Sequence, residues 1–187
     1  MKHWLFALLL LPGLALATTP VKAPRVSMET NFGTLVVELD PVHAPQSVSN
    51  FLAYVRDGSY NGSLFHRVIP GFVVQGGGYN GQYQPLPTHS PVKNESSNGL
   101  SNVRGSLALA RTQDPDSATR QFYFNLQNNS PLDGSSGQAG YTVFGKVVSG
   151  LEVLDKIAAQ PTGDSPQIGA SDVPQTPIVL QKVTIQP

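Results

Sequence analysis

Apolar positions along the chain switch between a two-residue and a three-to-four-residue period, and each switch marks an element. Residues 26–30 and 34–40 flank Asn31-Phe32-Gly33, and Thr34, Leu35, Val36, Val37 and Leu39 make the second run rich in β formers, so the pair predicts a hairpin. Over 44–58, Val48, Phe51, Leu52 and Val55 recur at i, i+3, i+4 and i+7, with Pro45 suited to a first helical turn and Gly58 to a stop. That spacing predicts an amphipathic helix. Two short strands are expected at 65–68 and 71–75 around Ile69-Pro70-Gly71, followed by a long glycine-rich and polar loop over 76–100. Further strands are expected at 105–110, 121–125 and 142–148. Ser149-Gly150-Leu151-Glu152 has the spacing of a capping box, and Leu151, Leu154, Ile157 and Ala158 form the apolar stripe of a second helix that stops before Pro161. Residues 177–185 predict a closing strand. Strands outnumber helices and the connections are hairpin-like, which points to a small closed antiparallel barrel with a helix plugging each end.

Composition narrows the chemistry. The 187 residues are 40% hydrophobic and 13% charged with zero net charge, so neither a solvating tail nor a basic nucleic-acid face is indicated. The 18 glycines and 16 prolines follow no repeat and suit many turns between short elements in one domain. Zero cysteines exclude disulfides, thiolate metal sites and a cysteine nucleophile. The first 17 residues, MKHWLFALLLLPGLALA, have the parts of a secretory signal: Lys2 and His3, an apolar run, and Ala15-Leu16-Ala17. An apolar run of about 13 residues falls short of the roughly 20 needed to span a bilayer. The expected organisation is therefore a signal peptide at 1–17 cleaved after Ala17, a flexible leader at 18–24 and one domain at 25–187. A soluble, monomeric protein without a stable membrane anchor is expected, placed in a bacterial periplasm, with full secretion as the alternative.

The densest unusual run is Phe65-His66-Arg67-Val68-Ile69-Pro70-Gly71-Phe72-Val73-Val74-Gln75-Gly76-Gly77. At strand period two, Phe65, Arg67, Val73 and Gln75 are expected on one face, a fixed-geometry donor beside apolar walls and an amide. An arginine in such a place also has a plain use, its stem lying on apolar surface with the head in water. This block resembles the signature of the cyclophilins, a family of peptidyl-prolyl cis-trans isomerases, over 13 consecutive positions. The segments 105–110 and 117–124, then Leu132-Asp133 and 141–147, are similar to the family's following strands. The resemblance spans 26–185 and implies a mainly β fold, a closed eight-stranded antiparallel barrel capped by two α-helices.

What the resemblance implies for activity is specific. The substrates are proline-containing peptides and unfolded exported proteins, and the reaction needs no metal and no cofactor. Arg67 matches the catalytic arginine and Gln75 the residue that orients it. Phe72, Val73, Tyr123 and Leu132 match the walls of the proline pocket. Ala110, Arg111 and Gln121 match the groove for the flanking peptide, and His66 and Tyr141 match positions on the rim. The alternative is a peptide-binding or holdase-like module on the same fold that does not need turnover. Three departures stand out: Arg111 where many relatives carry asparagine, Tyr123 where phenylalanine is common, and Pro131 where cyclosporin-sensitive relatives have tryptophan. The first two alter the groove and pocket, and the third makes cyclosporin binding weak. The run 76–81 lacks the Gly-Lys-Ser/Thr ending of a phosphate loop, His43, His66 and His89 are scattered, and no nucleophile elbow occurs.

Overall fold

In the computed structural model, which describes residues 23–187, the hairpin predicted from alternation is formed by β1 (Arg25–Thr30) and β2 (Gly33–Leu39). The Thr30 hydroxyl closes the turn, donating to the Gly33 carbonyl at 2.7 Å and accepting from the Phe32 amide at 3.0 Å. The expected signal peptide and the leader up to residue 22 lie outside the described residues. Helix α1 (Pro45–Arg56) follows, with Pro45 in its first turn and Val48, Phe51, Leu52 and Val55 buried as their spacing predicts. Its N-terminus has no cap of its own. Glu95, from the long loop, supplies one, its carboxylate accepting from the Gln46 and Ser47 amides at 3.0 and 2.9 Å.

The remaining strands are β3 (Ser63–Leu64), β4 (Arg67–Ile69), β5 (Val73–Gly76), β6 (Ser106–Leu109), β7 (Phe122–Asn125), β8 (Val143–Ser149), β9 (Thr162–Ser165), β10 (Ala170–Pro174) and β11 (Val179–Ile185), with helix α2 (Leu151–Ala158) after β8. Nine of the eleven strands form one antiparallel sheet in the order β3-β11-β1-β2-β8-β6-β7-β5-β4. Its two edge strands are separated in sequence only by Phe65 and His66, so the sheet curls until its edges become two halves of one interrupted strand. The expected mainly β barrel with two helices is borne out: counted as one interrupted strand, β3 and β4 make eight strands, and only the closure differs, running through the chain at Phe65 and His66 rather than through an unbroken strand. At the join, the Phe65 amide bonds the Ile178 carbonyl at 2.9 Å and the Leu64 carbonyl accepts the Gly77 amide at 3.1 Å. The β9–β10 ribbon was not expected, and it stands as a separate two-stranded sheet.

The capping box also takes another form. Ser149 ends β8, paired with Val36, and Gly150 holds the cap position in a left-handed conformation (φ 82°) with no side-chain cap bond. The Thr34 carbonyl lies where a Cβ at 150 would go, so glycine is required there.

Alternation divides the core in two. Phe122, Phe124, Leu107, Leu109, Val68 and Val74 face the helices and pack with Phe51, Tyr60 and Phe144, while Val73, Ala108, Tyr123 and Val143 form a small cluster on the opposite face. Arg120, 1% exposed, sits within the aromatic side of this structure. Its guanidinium donates to the carbonyls of Gly77, Pro87 and Ser59 at 2.5, 2.7 and 2.7 Å and lies over the rings of Tyr54 and Tyr60. The long loop is thereby tied to the end of β5 and to the turn after α1. Arg120→Met would leave three carbonyls unpaired, and a loss of at least about 3 kcal/mol of stability is expected in urea denaturation. A loss below about 1 kcal/mol would show that the tether is dispensable.

Candidate active site

The outer face of the sheet carries one row of directly paired residues. Arg67 on β4 pairs with Gln75 on β5, Gln75 with Tyr123 on β7, Tyr123 with Ala108 on β6, and Ala108 with Val143 on β8. A charged donor, an amide and an apolar floor therefore follow from register alone. Arg67 Nη1 donates to Gln75 Oε1 at 3.4 Å, and Gln75 Nε2 donates to Gln121 Oε1 at 2.9 Å. Gly78 makes room for this relay, since a Cβ there would lie 2.7 Å from the Gln121 amide.

Beside the row lies a hollow of about 330 Å³ lined by Arg67, Phe72, Val73, Gln75, Ala110, Arg111, Tyr123, Leu132 and Tyr141. Gln121 stands in an adjoining hollow of about 150 Å³ that shares Gln75, Ala110 and Arg111 with the first. Arg111 is held in place by its own contacts. Its guanidinium lies 4.5 Å from the Tyr141 ring centroid, and donates to the Gly140 and Ala139 carbonyls at 3.2 and 2.9 Å and to Thr112 at 2.8 Å. Neither Arg67 nor Arg111 has a carboxylate partner among the described residues.

The family described as cyclophilin type peptidyl-prolyl cis-trans isomerase/CLD matches residues 25–185. The chain belongs to the cyclophilins. It is similar to a peptidyl-prolyl cis-trans isomerase of Acinetobacter baylyi, 45% identical over 95% of this chain and 94% of that one. The Escherichia coli peptidyl-prolyl cis-trans isomerase B is 46% identical over 86% of this chain and 98% of its own length. Among solved structures, a cyclophilin type isomerase of Cryptosporidium parvum, determined in the presence of the dipeptide Ala-Pro, is 26% identical with a TM-score of 0.72. That match covers 87% of this chain and 99% of the other. The reaction of this cyclophilin is thus peptidyl-prolyl cis-trans isomerisation.

Nine of the eleven residues expected at the site line the main hollow, and Gln121 reaches it through Gln75. His66 does not. It occupies the break between β3 and β4, is 6% exposed, and packs its ring at 4.7 Å against Tyr79. Phe65 also departs from expectation, because the break cancels the alternation that would have set it beside Arg67 and sends it into the core against Phe122 and Phe124. The extra hydroxyl of Tyr123 finds a partner in Asn102 Oδ1 at 2.8 Å, and burial pushes its pKa well up, keeping it a donor. Asn102 carried no sequence signal, standing as one polar residue in a polar stretch.

Burial pushes the His66 ring down to about 4, against an opposing Leu64 backbone contact and with the Arg67 charge adding to it. Its Nδ1 has no hydrogen-bond partner among the described residues. Between pH 6.5 and 4 the unfolded chain takes up a proton at this position that the native chain refuses. Stability is therefore full above about pH 6.5 and falls by about 3 kcal/mol as the pH drops to about 4. In His66→Gln that portion of the acid sensitivity should vanish, measured as the difference in denaturation free energy between pH 7 and pH 4. Equal sensitivity in the two proteins would refute the assignment.

Proposed function

We propose that Arg67 is the catalytic residue, that the apolar hollow receives the proline ring, and that the physiological substrates are X-Pro bonds in exported proteins folding in a bacterial periplasm. The observation that carries this reading is the placing of a guanidinium, steadied by Gln75 and Gln121, at the edge of a hollow floored by Val73 and Tyr123. The Ala-Pro dipeptide used with the Cryptosporidium relative supports a proline-sized occupant.

Rotation about an X-Pro bond is slow because amide resonance holds the C–N bond planar, with a barrier of about 20 kcal/mol. No covalent bond breaks, so catalysis requires only that the twisted geometry be held better than the planar one. In the twisted state the proline nitrogen becomes pyramidal and localises its lone pair. An N–H of Arg67 aimed at that lone pair stabilises it and finds no such acceptor in the planar ground state. Gln75 fixes the guanidinium plane, and Phe72, Val73, Tyr123 and Leu132 hold the ring while the acyl side turns. Ala110, Arg111, Gln121 and Tyr141 border the path of the flanking peptide. The site presents no side-chain carboxylate, and apart from Arg67 and Arg111 its lining is uncharged, which suits recognition of main chain plus proline with weak preference for neighbours.

Arg67→Ala should lower kcat/KM on a prolyl tetrapeptide at least tenfold, about 1.4 kcal/mol of transition-state stabilisation, with the fold retained by circular dichroism. Undiminished turnover would overturn the mechanism. Pro131, exposed on the short helical turn Ser130–Leu132 beside the hollow, offers neither an indole donor nor its flat surface. Turnover should consequently persist when cyclosporin is titrated through nanomolar concentrations, and half-inhibition within that range would contradict this account.

A further inference from the structure

Behind the hollow, on the side away from solvent, lies a buried polar network centred on Asn102, which is 1% exposed. Every polar group of this residue is used. Its amide donates to Asp133 Oδ1 at 2.7 Å, its Nδ2 to the same oxygen at 2.8 Å and to the Tyr141 carbonyl at 3.4 Å. Its carbonyl accepts from the Asn129 amide at 2.7 Å, and its Oδ1 accepts from the Tyr123 hydroxyl at 2.8 Å and from Asn125 Nδ2 at 3.1 Å. Asn129 Nδ2 continues the chain to Asn125 Oδ1 at 2.7 Å and to the Phe72 carbonyl at 3.0 Å.

Four walls of the hollow meet here. Tyr123 is tied by its hydroxyl, Tyr141 and Phe72 by their carbonyls, and Leu132 by the adjoining Asp133. Hydrogen bonds in a low-dielectric interior reinforce one another when every member is satisfied, so such a network resists small displacements. We propose that Asn102 is a positioning residue that sets the spacing of the walls around the proline ring, with the Tyr123 hydroxyl as its link to the floor. This rests on the assignment of the hollow to proline. Asn102 touches no substrate and lies on a different element from Arg67. Loosening the walls weakens the ring's binding in ground and transition states alike, which raises KM and leaves kcat in place.

Steady-state kinetics on a prolyl tetrapeptide, resolving KM from kcat, test the proposal in the full domain. Asn102→Asp keeps the shape but sets a carboxylate against Asp133 Oδ1, and should raise KM at least fivefold with kcat within twofold. Tyr123→Phe cuts the link while sparing the Asn102–Asp133 pair, and should raise KM two- to threefold. A wild-type KM in Tyr123→Phe overturns the proposal even if Asn102→Asp fails to fold, as does an Asn102→Asp protein that folds and keeps a wild-type KM. Phe72→Ala checks the underlying assignment separately: a wild-type KM there would remove the proline pocket itself, whereas a raised KM there with an unaltered Tyr123→Phe would remove only the role of Asn102.

Discussion

Between Leu64 and Arg67 the chain leaves one edge of the sheet and joins the other, and the placing of the face that carries Arg67 depends on that two-residue break. Ser63–Leu64 pairs with β11 and Arg67–Ile69 with β5, so the sheet can end only by curling back on itself. The break also separates the two demands made on this stretch. Phe65 turns inward to fill the core, and two residues later Arg67 emerges on the outer face with Gln75, Tyr123, Ala108 and Val143 aligned beyond it. An unbroken strand would have put Phe65 and Arg67 on the same side. Edge strands this short leave few unpaired backbone groups for another chain to use.

Elements with a strong period were legible in the sequence. Val48, Phe51, Leu52 and Val55 define α1, and the β formers between Thr34 and Leu39 define the second strand of the first hairpin. What escaped had no period to show. The β9–β10 ribbon is written in Gly163, Asp164, Ser165, Gly169 and Pro174, residues that read as turns, and few of its side chains are buried. Gly150 replaced the expected serine cap because the close approach of the Thr34 carbonyl leaves no space for a side chain.

The site divides along a similar line. Arg67, Gln75, Phe72, Val73 and Tyr123 sit in a long contiguous match, and strand register brings them together. His66 sits in the same match yet is buried, because its position in the break decides its surroundings more than its neighbours in sequence do. Asn102, Asn125 and Asn129 look like loop asparagines one at a time. Only the folded chain makes a single network of them, since its bonds join residues separated in sequence by anything from 4 to 57 positions. Arg120 was invisible for the same reason, its hydrogen-bond partners lying 33 to 61 residues away.

Arg120 is a buried cation neutralised in an unusual currency, three peptide carbonyls and two aromatic faces. Carbonyl dipoles do not titrate, and small ions do not reach them in the interior to compete. A loop fastened by carboxylates would loosen as its acids took up protons or as salt screened them. At Arg120, unlike at the Glu95 carboxylate that caps α1, the loop is fastened by groups that stay constant across the range of acidity and ionic strength in which the backbone itself remains folded.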